Sequence, residues 1–266
     1  SLYSKTSTPS APIIWDKLNN NGNVKALIVN AGNANAHTGK KGLKIIDKYV
    51  KHLCEFIGCK KNEVLVSSTG VIGEIFDPNC IINQINKINL KKSNTILEAA
   101  KTIMTTDTYP KISIKNVKIK KEKFKIYGFA KGSGMIQPNM GTMLAYIFIE
   151  PKISQVSLKN LLKKNVDYTF NSISVDSDTS TSDTICLFST EANEYYCKSK
   201  RDLKILSSSL FELMQDLSLK VIKDGEGITK LTKIEVINSK TNKQAKNIAF
   251  SIANSPLVKT AIAGED

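Results

Sequence analysis

The alternation of apolar and polar positions divides the chain into short strands and amphipathic helices that follow one another from end to end. An apolar run at 24–29 reads as a buried strand and opens into an Asn/Gly-rich loop at 30–42. Leu43, Ile46, Val50, Leu53 and Ile57 recur at the spacing of one helical face, which predicts a helix over 43–57. A second strand at 64–66 runs into Ser67-Ser68-Thr69-Gly70. Asp77-Pro78 has the form of a helix start, and Ile81, Ile82, Ile85 and Ile88 continue it. A further helix is predicted over 95–105. Period-two alternation at 112–119 and 124–129 predicts a hairpin that turns at 120–123. Strands are predicted at 143–149, 170–175 and 184–188, the last two flanking an Asp-rich loop at 176–183. The longest helix, 203–222, ends at Asp224-Gly225-Glu226-Gly227, and a strand at 234–237 and a helix at 243–253 follow. Both element types alternate without a repeat or linker, so the predicted class is α/β with layered sheets and helices.

Composition narrows the function more than the fold. The 266 residues suit one large domain or two small ones, reading as a piece of a soluble globular protein. No apolar run is long enough for a membrane helix, and the start lacks a signal-peptide core. The formal charge is +14, yet Arg201 is the only arginine among 38 basic residues and aromatics make up 7%. Reading nucleic acid draws on arginine forks and stacking rings, so the excess lysine predicts a solvated surface and no nucleic-acid partner. Cys54, Cys59, Cys80, Cys186 and Cys197 form no C-x-x-C pair, which predicts free thiols in a reducing, cytoplasmic setting. Asp176, Asp178 and Asp183 lack the glycine and closing glutamate of a calcium loop and read as turn caps. No metal, nucleotide or other cofactor is implied, since the phosphate-binding glycine motifs are absent too.

His37 and His52 are the only imidazoles, which makes a Ser-His-Asp triad improbable. A hydroxyl nucleophile without histidine can use the α-amine of an N-terminal threonine as its base, because that amine titrates at about 7.7–8.0. Such a threonine must be released by peptide cleavage. Gly141-Thr142, after a Gly-rich turn and before an apolar strand, has the required form, although a glycine–threonine pair alone is also an ordinary loop-to-strand join.

The segment Lys131-Gly-Ser-Gly-Met-Ile-Gln-Pro-Asn-Met-Gly-Thr142-Met-Leu resembles the signature of the ornithine acetyltransferase (glutamate N-acetyltransferase, ArgJ) family. Other family motifs occur in family order: Asn30-Ala-Gly-Asn-Ala-Asn-Ala36, Ser68-Thr-Gly-Val-Ile-Gly-Glu74, Met104-Thr-Thr-Asp-Thr108, Asp176-Ser-Asp-Thr-Ser-Thr-Ser-Asp-Thr184, Asp224-Gly-Glu-Gly227 and Asn254-Ser-Pro-Leu-Val-Lys-Thr260.

The resemblance implies the layered DmpA/ArgJ-like fold and a precursor that cuts itself between Gly141 and Thr142. An α-chain region of 1–141 and a β-chain region of 142–266 would result, the pair associating further. It implies acetyl transfer from N-acetylornithine to glutamate through an acetyl-Thr142 intermediate, with acetyl-CoA as a conceivable second donor. The oxyanion hole maps to Thr69 and Gly70, and substrate contacts to Thr105, Lys131, Thr142 and Glu226. Small departures occur: Gly141 stands where the family usually has alanine, Ser177 where it has glycine, and Ser182 where it has asparagine. The sequence stops at Ala263-Gly-Glu-Asp266, inside a family motif, so the family's C-terminal substrate contacts are expected to be missing. An N-terminal-nucleophile aminopeptidase or amidohydrolase of the same fold is the alternative.

Overall fold

The computed structural model describes residues 1–136, 143–178 and 180–266. Its centre is a five-stranded sheet in the order β1-β7-β6-β5-β4, made of β1 (Leu2–Tyr3), β4 (Lys111–Ile119), β5 (Glu122–Lys131), β6 (Leu144–Lys152) and β7 (Thr184–Tyr196). All pairs are antiparallel except β6 with β7. A second sheet is the parallel pair of β2 (Ala26–Asn33) and β3 (Val64–Val71).

Side-chain alternation sorts the large sheet into two apolar faces. Phe124 and Ile126 of β5, Ile147 and Ile149 of β6, and Ile185 and Leu187 of β7 point one way. They bury against α5 (Gln155–Val166) and α6 (Lys200–Ile222), where Leu162, Leu206, Leu210 and Leu213 meet them. Phe129, Leu144, Tyr146 and Cys186 point the other way, onto Leu65 of β3 and onto Ala100 and Ile103, which belong to or follow α4 (Ile96–Thr102). The outer surface of the small sheet is covered by α1 (Ala11–Asn19), α2 (Gly39–Ile57) and α3 (Asn79–Ile85) through Trp15, Ile46, Tyr49 and Val50. Helices, sheet, sheet and helices thus stack as four layers, the α/β architecture that the alternation predicts.

The strands at 24–29 and 64–66, the hairpin and the helices over 43–57 and 203–222 form close to their predicted bounds, the helices starting a few residues earlier. Two predicted strands do not form. At 170–175 the chain makes a 3-10 turn, Phe170–Ser172. Thr169 Oγ1 donates to the Asn165 carbonyl at 2.8 Å and Ser172 Oγ to the Asp167 carbonyl at 2.7 Å, local bonds that replace a strand ladder. At 234–237 no strand pairs with the segment among the described residues, and Ile237 is 73% exposed. Ile234 and Val236 instead line a groove of about 810 Å³ walled partly by α7 (Asn242–Ala253) and α8 (Pro256–Gly264). Helices α1, α5 and α8 lie outside the predicted elements, α8 following the helix at 243–253, predicted as the last. Ser154 caps α5 by accepting the Ser157 amide at 3.3 Å. Among the described residues no helix is long and apolar enough to cross a membrane.

Candidate active site

The two loops at the end of the small sheet hold each other in place. Gly32 and Gly70 sit side by side in the β2–β3 ladder, with φ of 105° and 130°. A Cβ on Gly70 would lie 2.2 Å from the Gly32 carbonyl carbon, so both the left-handed backbone and the space require glycine there. The loop after β2 is then laced to the one after β3: Ala34 donates its amide to the Val71 carbonyl at 2.9 Å, and Gly73 donates to Ala36 at 2.9 Å. Ser68 Oγ donates to Asn30 Oδ1 at 2.5 Å across the strands. These bonds fix Thr69, which is 2% exposed and faces the large sheet at the end of β5.

There it meets Lys131, the last residue of β5. The Lys131 ammonium donates to Thr69 Oγ1 at 3.2 Å and to Thr105 Oγ1 at 2.7 Å, with Asp107 Oδ2 at 3.7 Å. Three of the predicted site residues, drawn from three separate motifs, converge on one buried ammonium. Glu226 reaches the same corner by another route. Its amide donates to the Ser133 carbonyl at 3.1 Å, Ser133 Oγ donates to the Asp224 carbonyl at 2.6 Å, and a Cβ on Gly134 would sit 2.9 Å from the Glu226 carboxyl. The glycine turn after Lys131 therefore packs directly on the Asp224–Gly227 turn. Gly141 and Thr142 lie outside the described residues.

Beneath this site is an ion network that the motifs contain without revealing. Asp107 Oδ1 accepts the Gly132 amide at 2.7 Å and the Lys111 ammonium at 2.5 Å, while Oδ2 accepts the Thr105 amide at 3.2 Å. Lys111 also donates to Asp224 Oδ2 at 2.5 Å, and Thr108 donates to the same carboxylate through its amide at 2.9 Å and through its hydroxyl. Lys111 faces the α6 side of the sheet and Lys131 the small-sheet side, so Asp107 joins the two faces at the strand ends. The side chains of Lys111 and Asp107 are fully buried, and that of Asp224 is 3% exposed.

Burial opposes ionisation of Asp107, but the Gly132 amide, Lys111 and Lys131 outweigh it and hold the carboxyl below the usual range. Asp224 is lowered in the same way, burial being outweighed chiefly by Lys111 and Thr108. For Lys131, burial wins over the attraction of Asp107 and the ammonium is pulled below the usual lysine range. The clue to this network in the sequence is Lys111 itself: it stands in the inward phase of a strand whose Val117 and Ile119 are core residues. His52 pairs with Asn86 at 2.7 Å on the surface and His37 is exposed; neither makes any of these contacts.

The chain as a whole matches the ArgJ family over residues 1–266. It is 43% identical over 270 residues to the arginine biosynthesis bifunctional protein ArgJ of Bartonella henselae, and 42% identical over 273 residues to that of Agrobacterium fabrum. Each alignment takes in all of this chain and 66% of the relative, so the chain spans just under two thirds of their length. The crystal structure of the arginine biosynthesis bifunctional protein of Bacillus halodurans is similar with a TM-score of 0.49 and 32% identity, over 54% of this chain and 75% of that one. With a match over its full length and relatives above 40% identity, the chain belongs to the ArgJ family.

Proposed function

We propose that this chain is an acetyltransferase that makes its own nucleophile, moving acetyl from N2-acetyl-L-ornithine to L-glutamate in arginine biosynthesis. In the first stage the Thr142 hydroxyl attacks the Gly141 carbonyl carbon. The Gly141–Thr142 carbon–nitrogen bond breaks, the hydroxyl proton passes to the departing amine, and an ester links the pieces. Water hydrolyses that ester to a Gly141 carboxylate and a free Thr142 hydroxyl. The regions 1–141 and 142–266 become an α and a β chain.

In the second stage the new amine accepts the proton of its own hydroxyl as the oxygen attacks the acetyl carbonyl. Ornithine leaves with its amine protonated, and glutamate's amine attacks the acetyl ester in turn. Thr69 and Gly70 supply the oxyanion hole for both tetrahedral intermediates, a role in which one lost donor costs about 10²–10³ in rate. Thr105, Lys131 and Glu226 meet the charged ends of the amino-acid substrates. The proposal includes acetyl-CoA as a second acetyl donor. On this reading the reaction runs in the cytoplasm, carried out by αβ pairs that associate further.

The observation that carries this reading is the convergence of Thr69, Thr105 and Lys131 through the buried ammonium. The test is intact mass of the purified chain, alongside exchange of acetyl between N-acetylornithine and labelled glutamate. Two pieces, the second beginning at Thr142, together with exchange, are expected; Thr142→Ala should stay whole and inactive. A wild-type chain that stays whole, or one that hydrolyses peptides without exchanging acetyl, overturns the proposal.

A further inference from the structure

The Asp-rich loop at 176–183 has no part in the transfer chemistry above, yet its two ends hold the two flanks of the segment 137–142. On the upstream side, Asp176 Oδ2 accepts the Met135 amide, and Asp176 Oδ1 accepts the amides of Ile136 at 2.8 Å and Asp178 at 3.0 Å. The Val175 amide donates back to the Ile136 carbonyl at 2.7 Å. On the downstream side, Asp183 Oδ1 accepts the Met143 amide at 2.8 Å, and Thr184 donates to the Met143 carbonyl at 3.0 Å. Asp183 is 0% exposed.

The downstream end of the loop, 180–183, is itself anchored. Ser4 donates its amide to the Asp183 carbonyl at 3.0 Å and its hydroxyl to the Ser180 carbonyl at 2.8 Å, and Ser10 donates to Thr181 at 2.8 Å. The two ends of this loop therefore hold Met135 and Ile136 before the Gly141-Thr142 bond and Met143 directly after Thr142.

An N-to-O acyl shift makes a strict demand on the backbone: the hydroxyl must stand about 3–3.5 Å from the preceding carbonyl carbon in an attacking orientation. A segment free at either end spreads over many conformations, and fixing both ends removes most of them. We propose that the loop 176–183 is a two-point clamp that positions the Gly141-Thr142 bond for self-cleavage, with Asp176 and Asp183 as its positioning residues. The proposal rests on the cleavage reading given above.

The clamp predicts an order of rates that loss of stability alone does not. Asp176 uses both oxygens, so Asp176→Asn loses one acceptor and Asp176→Ala all of them. Asp183 uses Oδ1 alone toward Met143, so Asp183→Asn keeps the bond that Asp183→Ala loses. The experiment follows cleavage of the 266-residue chain by intact mass during cell-free synthesis, with thermal melting of each variant. Asp176→Ala and Asp183→Ala should cleave about tenfold slower or worse, as loss of one or two hydrogen bonds at the attacking geometry implies. Asp183→Asn should cleave several-fold faster than Asp183→Ala, and Asp176→Asn should fall between alanine and wild type. Should the alanine variants fail to fold, the asparagine pair decides, with Asp176→Asn the slower of the two. Folded alanine variants that cleave at the wild-type rate, or asparagine variants in the reverse order, overturn the clamp alone. A wild-type chain that stays whole, or a Thr142→Ala chain that is cut, overturns the cleavage reading and the clamp with it.

Discussion

Replacing Asp107 by asparagine keeps the side chain's shape and removes one negative charge from a buried site that holds two lysines and two carboxylates. In the wild type, Lys111 and Lys131 are balanced by Asp107 and Asp224, all with side chains at most 3% exposed. After Asp107→Asn one ammonium has no buried counter-charge, and breaking a buried pair in this way costs about 3–5 kcal/mol. The amide also presents an NH₂ group where Lys111 or Lys131 now finds an acceptor, so the upper half of that range is expected at pH 7. Lys131 is the ammonium that yields, because burial already pulls it below the usual range. Between its lowered folded pKa and the unfolded value of about 10.4, the unfolded chain holds a proton that the folded chain has released. Stability therefore rises with pH across that window, and the deficit of Asp107→Asn should shrink between pH 7 and pH 9.5. Urea unfolding of wild type, Asp107→Asn and Asp107→Asn/Lys131→Met at both pH values measures this. The double variant restores charge balance and should recover at least half of the loss at pH 7. A single-variant cost below about 1 kcal/mol, or a double variant less stable than the single, refutes the charge argument.

Two further outcomes follow from the geometry. Gly70→Ala must place a methyl group 2.2 Å from the Gly32 carbonyl carbon at a φ of 130°, so a loss of about 3 kcal/mol in urea unfolding and a sharp loss of acetyl exchange are expected; wild-type stability would show that the β2–β3 contact is looser than described. Asp16 is 1% exposed, and burial, only partly opposed by the Val66 amide and the Tyr3 hydroxyl, raises its carboxyl to about 7. Since the folded state holds this proton and the unfolded state does not, stability should fall as pH rises from about 4 to 7, by an amount on the order of 4 kcal/mol. Asp16→Asn keeps the acceptor for Val66 and should flatten that slope; an unchanged slope in urea unfolding would assign it to other groups.

What the sequence makes legible is what local periodicity and motif order encode. The helix at 43–57 announces itself through Ile46, Val50 and Leu53, all of which are core residues. The alternation at 112–119 and 124–129 gives the hairpin, because the two faces of that sheet bury different partners. The stretch at 234–237 opens with the same alternation, Ile234-Glu235-Val236, but a strand needs a neighbour to take its hydrogen bonds, and sequence spacing carries no information about neighbours. At 170–175 the polar side chains of Thr169 and Ser172 closed a turn that apolar periodicity could not anticipate. At the site, the motifs supplied Thr69, Thr105 and Lys131, and they contain Asp107 and Asp224 without any sign that these carboxylates hold the lysines. Asp107 and Asp224 are more than a hundred positions apart, and only the fold reveals that both attend Lys111.

The strand order β1-β7-β6-β5-β4 has a consequence for the fate of a nicked molecule. The adjacent strands β7 and β6 come from beyond residue 142, whereas β1 on one side and β5 with β4 on the other come from before it. Each half thus borders the other along two separate seams, and Ser4 and Ser10 stitch the first half to the loop at 180–183 as well. A chain severed between Ile136 and Met143 would run as two species on a denaturing gel. In native buffer the halves would stay interleaved and travel as one particle, parting only when the shared sheet itself melts.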